Sequence, residues 1–176
     1  MGTKQHRGEE VRPMRIEQWM TVNPLTVRPH DSVAHARALL KEHRINQLPV
    51  TLNGTLVGIV TDRDLRDAMG AMYAAAEASG KPPRLESRAE EIAVEAVMTA
   101  NAITIEPHET MERAAVVMRR DRIGALPVVH RGELRGIVTR TDVLRAYLAL
   151  ASYDRKAKIN HAWKGPYSNP DPPRYA

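Results

Sequence analysis

The 176-residue chain contains no cysteine and no phenylalanine, and it has only two tryptophans. The lack of cysteine excludes a disulfide scaffold and thiolate chemistry, and it fits a reducing compartment. Because large aromatic side chains are scarce, the core must rest on Val, Ile, Leu, Met and Ala, which suits a layered structure of helices and strands. Hydrophobic residues make up 43% of the chain, so a packed core is expected.

The sequence also lacks any run of about 18 apolar residues, the length that a membrane-spanning helix needs. Residues 1–13 have no apolar stretch of the kind found in secretory signals. We therefore expect a protein that does not enter the membrane and that resides in the cytoplasm.

Positive charge is modest and unevenly distributed, with a formal net charge of +5 at pH 7. Residues 154–176 carry five basic and two acidic side chains among prolines and polar residues, a composition typical of disorder. A nucleic-acid-binding protein usually gathers its basic residues on a folded surface, so this distribution argues against that function. The alternative is a tail that binds nucleic acid through its lysines, with Trp163 and Tyr167 stacking on bases.

An internal repeat is the strongest signal in the sequence. A shift of 78 residues aligns the chain with itself without a gap, and roughly 20 of the 49 positions from Met20 to Ala68 are identical. The longest matches pair Met20-Thr21 with Met98-Thr99, Leu48-Pro49-Val50 with Leu126-Pro127-Val128, and Gly58-Ile59-Val60-Thr61 with Gly136-Ile137-Val138-Thr139. The chain therefore contains two copies of one structural unit.

Each copy is predicted to fold as strand–helix–strand–strand–helix. A short strand is expected at 25–27 and at 103–105, and the next two strands form a hairpin around Asn53-Gly54 or Arg131-Gly132. The apolar stripes of the first helices comprise Val33, Ala36 and Leu40, and Met111, Ala114 and Met118. Those of the final helices comprise Leu65, Ala68, Met69, Met72 and Tyr73, and Val143, Ala146, Tyr147, Leu150 and Ala151.

These patterns divide the chain into five segments. We expect a flexible N-terminus at 1–14, a first repeat at 15–78, a linker at 79–88, a second repeat at 89–153 and a disordered basic tail at 154–176. Pro82 and Pro83 break any helix in the linker, and residues 90–97 are predicted to form a short helix leading into the second repeat.

The two sets of motifs resemble the CBS domain family, named after cystathionine β-synthase. Its signature combines Met-Thr, a strand, an Ala-containing helix, a Leu-Pro-Val strand and Gly-Ile-Val-Thr-x-x-Asp, and both copies carry it within residues 15–153. The resemblance, in particular to the stand-alone CBS proteins of prokaryotes, implies an α/β (α+β) fold in which two repeats pack as a pseudo-twofold pair, called a Bateman module. It also implies a homodimer, clefts that bind adenosine derivatives, and regulation of a partner protein of unknown identity.

The leading site candidates are residues 61–64 and 139–142, because each segment joins the end of a strand to the start of a helix. Ligands gather at the carboxyl ends of strands, and free amides at a helix start favour phosphate. The resemblance implies that Asp64 and Asp142 accept hydrogen bonds from ribose, while Thr61 and Thr139 supply a hydroxyl to ribose or phosphate. The same spacing is close to a helix-capping box, a structural role that can coexist with ligand contact.

The loops before the second strand of each unit are the next candidates. The resemblance implies that they hold adenine through backbone groups and an apolar side chain, so that Ile45 and Ile123 would cover a base face. The alternative is that both isoleucines are simply core residues. Further predicted contacts are Asn46 and Gly124 in these loops, and Pro24 and Ala102 in the opposite wall.

Phosphate recognition calls for arginine, whose planar guanidinium donates paired hydrogen bonds. The candidates at loop or helix-start positions are Arg44, Arg63, Arg122 and Arg140, each of which could equally be ordinary surface charge. Arg63 aligns with Thr141, and Arg140 aligns with Asp62, so the two clefts are expected to differ in affinity. We expect the copy that contains Arg140 to accept more phosphate charge.

The predicted ligand is an adenine nucleotide, with AMP, ADP or ATP favoured over S-adenosylmethionine, and it acts as a regulator rather than a catalytic cofactor. No nucleophile, Walker or paired-carboxylate motif is present, so no enzyme activity is expected. His30 and His108 match between copies but lack partners at metal-ligand spacing, which predicts a structural role and no metal. The competing function is a dimerisation module with empty clefts that regulates a partner protein, in which Leu144 and Leu148 face a second subunit.

Overall fold

The computed structural model describes residues 13–78, 80 and 89–162. The first repeat contains a 3-10 helix (Ile16–Gln18), β1 (Thr21–Val22), α1 (Val33–His43), β2 (Gln47–Leu52), β3 (Thr55–Thr61) and α2 (Asp62–Ala78). The second contains a 3-10 helix (Val94–Ala96), β4 (Thr99–Ala100), α3 (Met111–Arg120), β5 (Ala125–His130), β6 (Glu133–Thr139) and α4 (Arg140–Ala162). The predicted order of strands and helices is confirmed in both repeats.

The first strand of each repeat lies closer to the N-terminus than predicted. The strands are β1 and β4, whereas the predicted segments 25–27 and 103–105 contribute only isolated bridges, from Val27 to Val50 and from Ile105 to Val128. The prediction was wrong because β1 and β4 are exposed on both faces and pair with the other repeat. An exposed strand shows no alternation of apolar and polar residues, and pairing with the other repeat cannot be read from the sequence of one copy.

The helix predicted over residues 90–97 is interrupted. Residues 89–91 are helical, Ala93 forms an antiparallel bridge with Ser32, and Val94–Ala96 continues as a 3-10 helix. The backbone is extended at Ala93 because Val33 donates to the carbonyl of Ile92 while Val94 donates to the carbonyl of Asp31. These contacts attach the start of the second repeat to the first.

The strands form one antiparallel sheet in which the repeats exchange their first strands. β1 pairs with β6, with Thr21 opposite Ile137, and β4 pairs with β3, with Thr99 opposite Ile59. Both partners of the second pair match those of the first after the 78-residue shift, so the arrangement is pseudo-twofold symmetric. β2–β3 and β5–β6 form the two hairpins.

Each repeat has its own hydrophobic core, which the other repeat completes. Ile16 of the first repeat is fully buried in the core of the second, and Val94 of the second is fully buried in the core of the first. Burying an aliphatic side chain of this size is worth about 1.5–3 kcal/mol. The predicted stripes of the first helices, Val33, Ala36, Leu40, Met111, Ala114 and Met118, are all buried and line these cores.

The hairpin turns have the predicted geometry. The φ angles are 51° at Asn53 and 82° at Gly54, and 52° at Arg131 and 84° at Gly132. Positive φ at both central residues is the condition for the tight turn whose twist matches that of the flanking strands.

The final helices bury fewer of their predicted apolar residues than the first helices do. Leu65, Met72 and Ala146 are buried, but Tyr73 and Tyr147 are exposed by 44% and 64%. These tyrosines lie on the predicted apolar stripes, and no described element of this chain covers them.

Helix α4 extends to Ala162, beyond residue 153, where the predicted second repeat ends. Residues 154–162 therefore differ from the disorder predicted for them, because Arg, Lys and Ala in this segment favour helix. The rest of the predicted tail, nearly all of the predicted linker and residues 1–12 lie outside the described residues. No helix in the described part of the chain is long and apolar enough to cross a bilayer.

Candidate functional site

Helix α2 begins with a capping box between Thr61 and Asp64. The Thr61 amide and hydroxyl donate to Asp64 Oδ2 at 2.8 and 2.7 Å, and the Asp64 amide lies 3.3 Å from Thr61 Oγ1. Thr139 and Asp142 repeat this arrangement at the start of α4, with distances of 2.9, 2.7 and 3.4 Å. The structural role that the sequence left open is therefore present in both repeats.

The two aspartates differ in their second carboxylate oxygen. Asp142 Oδ1 lies 3.5 Å from Arg145 Nη1, and Asp142 is only 6% exposed. Asp64 is partly exposed, and among the described residues no hydrogen bond or salt bridge involves its Oδ1. Asp64 thus keeps its helix cap and still presents an open acceptor.

A cleft of about 470 Å³ opens beside Asp64 and receives residues from both repeats. The predicted site residues that line it are Asn46, Thr61, Arg63 and Asp64 from the first repeat, and Ala102, Arg122, Ile123, Gly124 and Arg140 from the second. The repeats therefore contribute jointly to one space, which the loops before β2 and β5 both line.

The other predicted residues do not line this cleft. They are Pro24, Arg44, Ile45, Thr139, Thr141 and Asp142. Ile45 packs against the core of the first repeat and lines, with Arg44, a separate surface cavity of about 410 Å³. Ile123 also packs against a core, yet it faces the cleft as well. Arg140, which the sequence assigned to the copy containing Asp142, lines the cleft that holds Asp64.

Several lining residues were not predicted, namely Gln47, Ile59, Arg66, Thr99, Ala125 and Pro127. Ile59 had a usable signal, because Gly58 and Val60 are buried and side chains alternate between the faces of a strand. Gln47 lies opposite Thr61 across the hairpin, which the turn register would have predicted. Thr99 reaches the cleft only because β4 crosses to β3 of the other repeat.

The positive charge available in the cleft comes from the second repeat. Arg66 lies 3.1 Å from Asp62, and Arg63 lies 3.7 Å from Asp67, so acidic neighbours offset both. No salt bridge within the described residues involves Arg122 or Arg140. Arg140 is held by a hydrogen bond from Nε to the carbonyl of Ile123, at 3.1 Å.

Two features constrain the backbone around Arg122. Arg122 has a φ of 57°, a left-handed conformation that costs a residue other than glycine about 1–2 kcal/mol. Just before it, Arg120 donates to Asp121, and this hydrogen bond lowers the pKa of the Asp121 carboxyl below its usual value. Arg44, at the matching position of the first repeat, has a φ of 51°.

The histidines that match between the repeats lie away from the cleft. His30 Nδ1 lies 3.1 Å from Glu95 Oε1, across the contact between the repeats. The carbonyl of His108 accepts a hydrogen bond from Arg15 at 2.6 Å on the symmetry-related side. Both residues join one repeat to the other. Within the described residues, no group of three or more His, Asp or Glu side chains could hold a metal ion.

The chemistry of the cleft suits a small anionic molecule with hydroxyl groups. An open carboxylate oxygen accepts from hydroxyls, and two uncompensated guanidinium groups suit phosphate or carboxylate. Ile59, Ile103 and Ile123 provide apolar surface on the walls. Apolar walls with a few convergent polar groups are typical of small-molecule sites.

Comparisons with known proteins agree on one family. The family model of the CBS domain matches residues 16–71 and 94–149. The chain is 39% identical over 147 residues to an inosine-5'-monophosphate dehydrogenase of Korarchaeum cryptofilum, covering 82% of this chain but only 27% of the dehydrogenase. It is 35% identical over 134 residues to a CBS domain-containing protein of Dictyostelium discoideum, covering 73% of this chain and 88% of that protein.

Two solved structures of similar chains contain adenosine compounds. The CBS-pair protein CBSX2 of Arabidopsis thaliana, in complex with AMP, has a TM-score of 0.64 and 32% identity, covering 78% of this chain and 98% of that one. The CBS domain pair of the protein MJ0100, in complex with 5'-methylthioadenosine and S-adenosyl-L-methionine, has a TM-score of 0.61 and 28% identity. The match covers 78% of this chain and 98% of that one.

Proposed function

The chain belongs to the CBS domain family, and on that premise we propose that it is a regulatory module whose Asp64 cleft binds an adenine nucleotide. The observation that carries the proposal is the meeting of Asp64 from one repeat with Arg122 and Arg140 from the other around one cleft of about 470 Å³. The carboxylate suits the ribose of a nucleotide, and the two guanidinium groups suit its phosphate.

The ribose is assigned to Asp64. Its Oδ2 is engaged by the amide and hydroxyl of Thr61, which fixes the carboxylate and leaves Oδ1 as an acceptor for the ribose hydroxyls. A hydrogen bond to a charged acceptor contributes about 1.5–3 kcal/mol. Because the cap already orients the side chain, little rotamer entropy is lost when the ligand binds.

The phosphate is assigned to Arg122 and Arg140. Neither side chain has an acidic partner within the described residues, and Arg140 is oriented by the carbonyl of Ile123. Guanidinium groups bind phosphate in a bidentate manner, so two of them accommodate one or more phosphate groups. Adenosine without phosphate should therefore bind about tenfold or more weakly than AMP.

The base is assigned to the apolar walls of the cleft. Ile123 and Ile103 offer aliphatic contacts, and Gly124 lines the cleft with backbone alone, its carbonyl already accepting from the Arg140 amide. The adenosine compounds in the CBSX2 and MJ0100 structures support an adenine base over other bases.

A nucleotide in this position would bridge the two repeats. Ribose would be held by the first repeat and phosphate by the second, so binding would stabilise one relative arrangement of the pair. A partner protein that reads this arrangement would then respond to the nucleotide. The chain spans about a quarter of the dehydrogenase it resembles, so the proposal does not extend to the identity of the regulated activity.

Calorimetric titration of the full chain with AMP, ADP and ATP tests the proposal, with GMP as the control for base selectivity and adenosine as the control for phosphate. We expect saturable binding of at least one adenine nucleotide, and weaker binding of GMP and adenosine. If no adenosine derivative binds at millimolar concentration, the proposal fails.

We also propose that the chain forms a homodimer through α4. Leu144, Tyr147 and Leu148 are exposed by 61%, 64% and 65%, and their spacing places them on one side of the helix. An adjoining apolar groove of about 490 Å³ between α3 and α4 is lined by Met14, Met111, Val143 and Leu150 among others. A contiguous apolar surface of this kind is typical of a subunit interface.

A further inference from the structure

The two matching aspartates have different neighbours along their helices. Arg145 lies three residues after Asp142 on α4, with Nη1 at 3.5 Å from Asp142 Oδ1. The residue that matches Arg145 in the first repeat is Asp67, whose charge has the same sign as that of Asp64. Asp67 cannot cover the Asp64 carboxylate, and it lies 3.7 Å from Arg63 instead.

Both oxygens of the Asp142 carboxylate are therefore engaged. Oδ2 accepts from the amide and hydroxyl of Thr139, and Oδ1 faces the Arg145 guanidinium. The Asp142 side chain is only 8% exposed. A ribose hydroxyl needs a free and reachable acceptor, which Asp64 offers and Asp142 does not.

The symmetry of the sheet implies a second groove that this difference affects. β1 pairs with β6 in the same register as β4 pairs with β3. Residues 101–103 and Thr61 line the Asp64 cleft, and after the 78-residue shift their counterparts are residues 23–25 and Thr139. Around the carboxylate, the second repeat has Arg140 for Asp62, Thr141 for Arg63, Leu144 for Arg66 and Arg145 for Asp67. Of these, Arg145 forms the salt bridge to Asp142.

We propose that Arg145 determines stoichiometry by keeping the groove at Asp142 closed to nucleotide, so that each chain binds one nucleotide rather than two. This inference rests on the proposed function of the Asp64 cleft. The Arg145 side chain is 71% exposed and belongs to neither hydrophobic core, so its removal frees Asp142 Oδ1 without a loss of packing.

Calorimetry of the full chain with AMP tests the inference through the number of binding sites. The wild type is expected to bind one AMP per chain, and Arg145→Ala two. Arg113→Ala is the matched control, because Arg113 also forms an exposed salt bridge on a helix, at 3.9 Å from Glu109, away from either carboxylate. It is expected to bind one AMP per chain.

Arg145→Met removes the charge and nearly keeps the length of the side chain, and it is expected to give two sites as well. It provides the same test if the alanine variant does not fold. Melting curves and sedimentation should show that these variants keep the fold and oligomeric state of the wild type. One site in both Arg145 variants, or two sites already in the wild type, would overturn the inference and leave the proposed function standing. A wild type that binds no AMP and no other adenosine derivative would overturn the proposed function itself.

Discussion

Gly58 of the first repeat lies directly against Thr99 of the second, so that a Cβ atom at position 58 would stand 2.8 Å from the Thr99 carbonyl oxygen. Gly136 has the same relationship with Thr21, also at 2.8 Å. The contact follows from the pairing of β3 with β4 and of β6 with β1. The Met-Thr and Gly-Ile-Val-Thr motifs of the repeat are therefore two sides of one contact between the copies.

Gly58→Ala is expected to destabilise the protein by about 1–3 kcal/mol, the range for an added methyl group in a packed interior. The clash is with backbone, so a side-chain rotation cannot relieve it. Urea denaturation measures the change in the free energy of unfolding.

Gly70→Ala is the control for this substitution. Gly70 lies inside α2, and a Cβ atom added there would meet nothing within 4 Å, so alanine should stabilise the helix by about 0.5–1 kcal/mol. If both alanine variants shift the free energy of unfolding in the same direction, the contact between β3 and β4 is not the reason that position 58 requires glycine.

Much of the fold could be predicted from the sequence because the repeat and the helical stripes are local patterns. Val33 and Met111 lie at matching helical positions in the cores, and Asn53-Gly54 turns as predicted. The exchange of β1 and β4 could not be predicted, because the partner of Thr21 is Ile137 in the other copy. Nothing in the pattern of one repeat specifies a partner so distant in sequence.

The candidate site was predicted in its parts but not in its assembly. The Thr-x-x-Asp spacing correctly indicated the capping of both final helices. The meeting of Asp64 with Arg140 depends on how the repeats pack, which the spacing within one copy does not specify. The contrast between Asp67 and Arg145 was present in the sequence, but its effect required knowing that Arg145 reaches Asp142.

Arg122→Gly is expected to raise stability and lower nucleotide affinity at the same time. Glycine accepts the left-handed backbone at this position, which should stabilise the fold by up to about 1 kcal/mol. Loss of the guanidinium should weaken AMP binding roughly 10- to 100-fold, the scale of a lost hydrogen bond to a charged group. Thermal melting and calorimetry measure the two effects separately.

Arg44→Gly is the matched variant for Arg122→Gly. Arg44 has the same left-handed backbone but does not line the Asp64 cleft. It should gain similar stability and keep the affinity for AMP within about twofold. Equal losses of affinity in the two variants would assign the effect to loop conformation rather than to the Arg122 side chain.

Leu148→Glu is expected to convert a dimer into a monomer in sedimentation velocity. A carboxylate placed in the apolar surface of α4 would have to be buried without a partner. The desolvation free energy of that charge would exceed the free energy gained by dimerisation. Leu52→Glu is the control, because Leu52 is also exposed, by 46%, but lies next to the tip of the first hairpin. A monomeric wild type, or a dimer that both variants retain, would contradict the proposed interface.

The central claim is most directly tested by AMP titration of Asp64→Asn against Asp142→Asn. The asparagine carbonyl can still accept from the amide and hydroxyl of Thr61, so the helix cap is kept, but an NH₂ group replaces the open oxygen that would receive the ribose. We predict that Asp64→Asn lowers the affinity for AMP roughly 10- to 100-fold with little change in melting temperature, while Asp142→Asn leaves the affinity unchanged. Binding of AMP to Asp64→Asn as tightly as to the wild type would contradict the account.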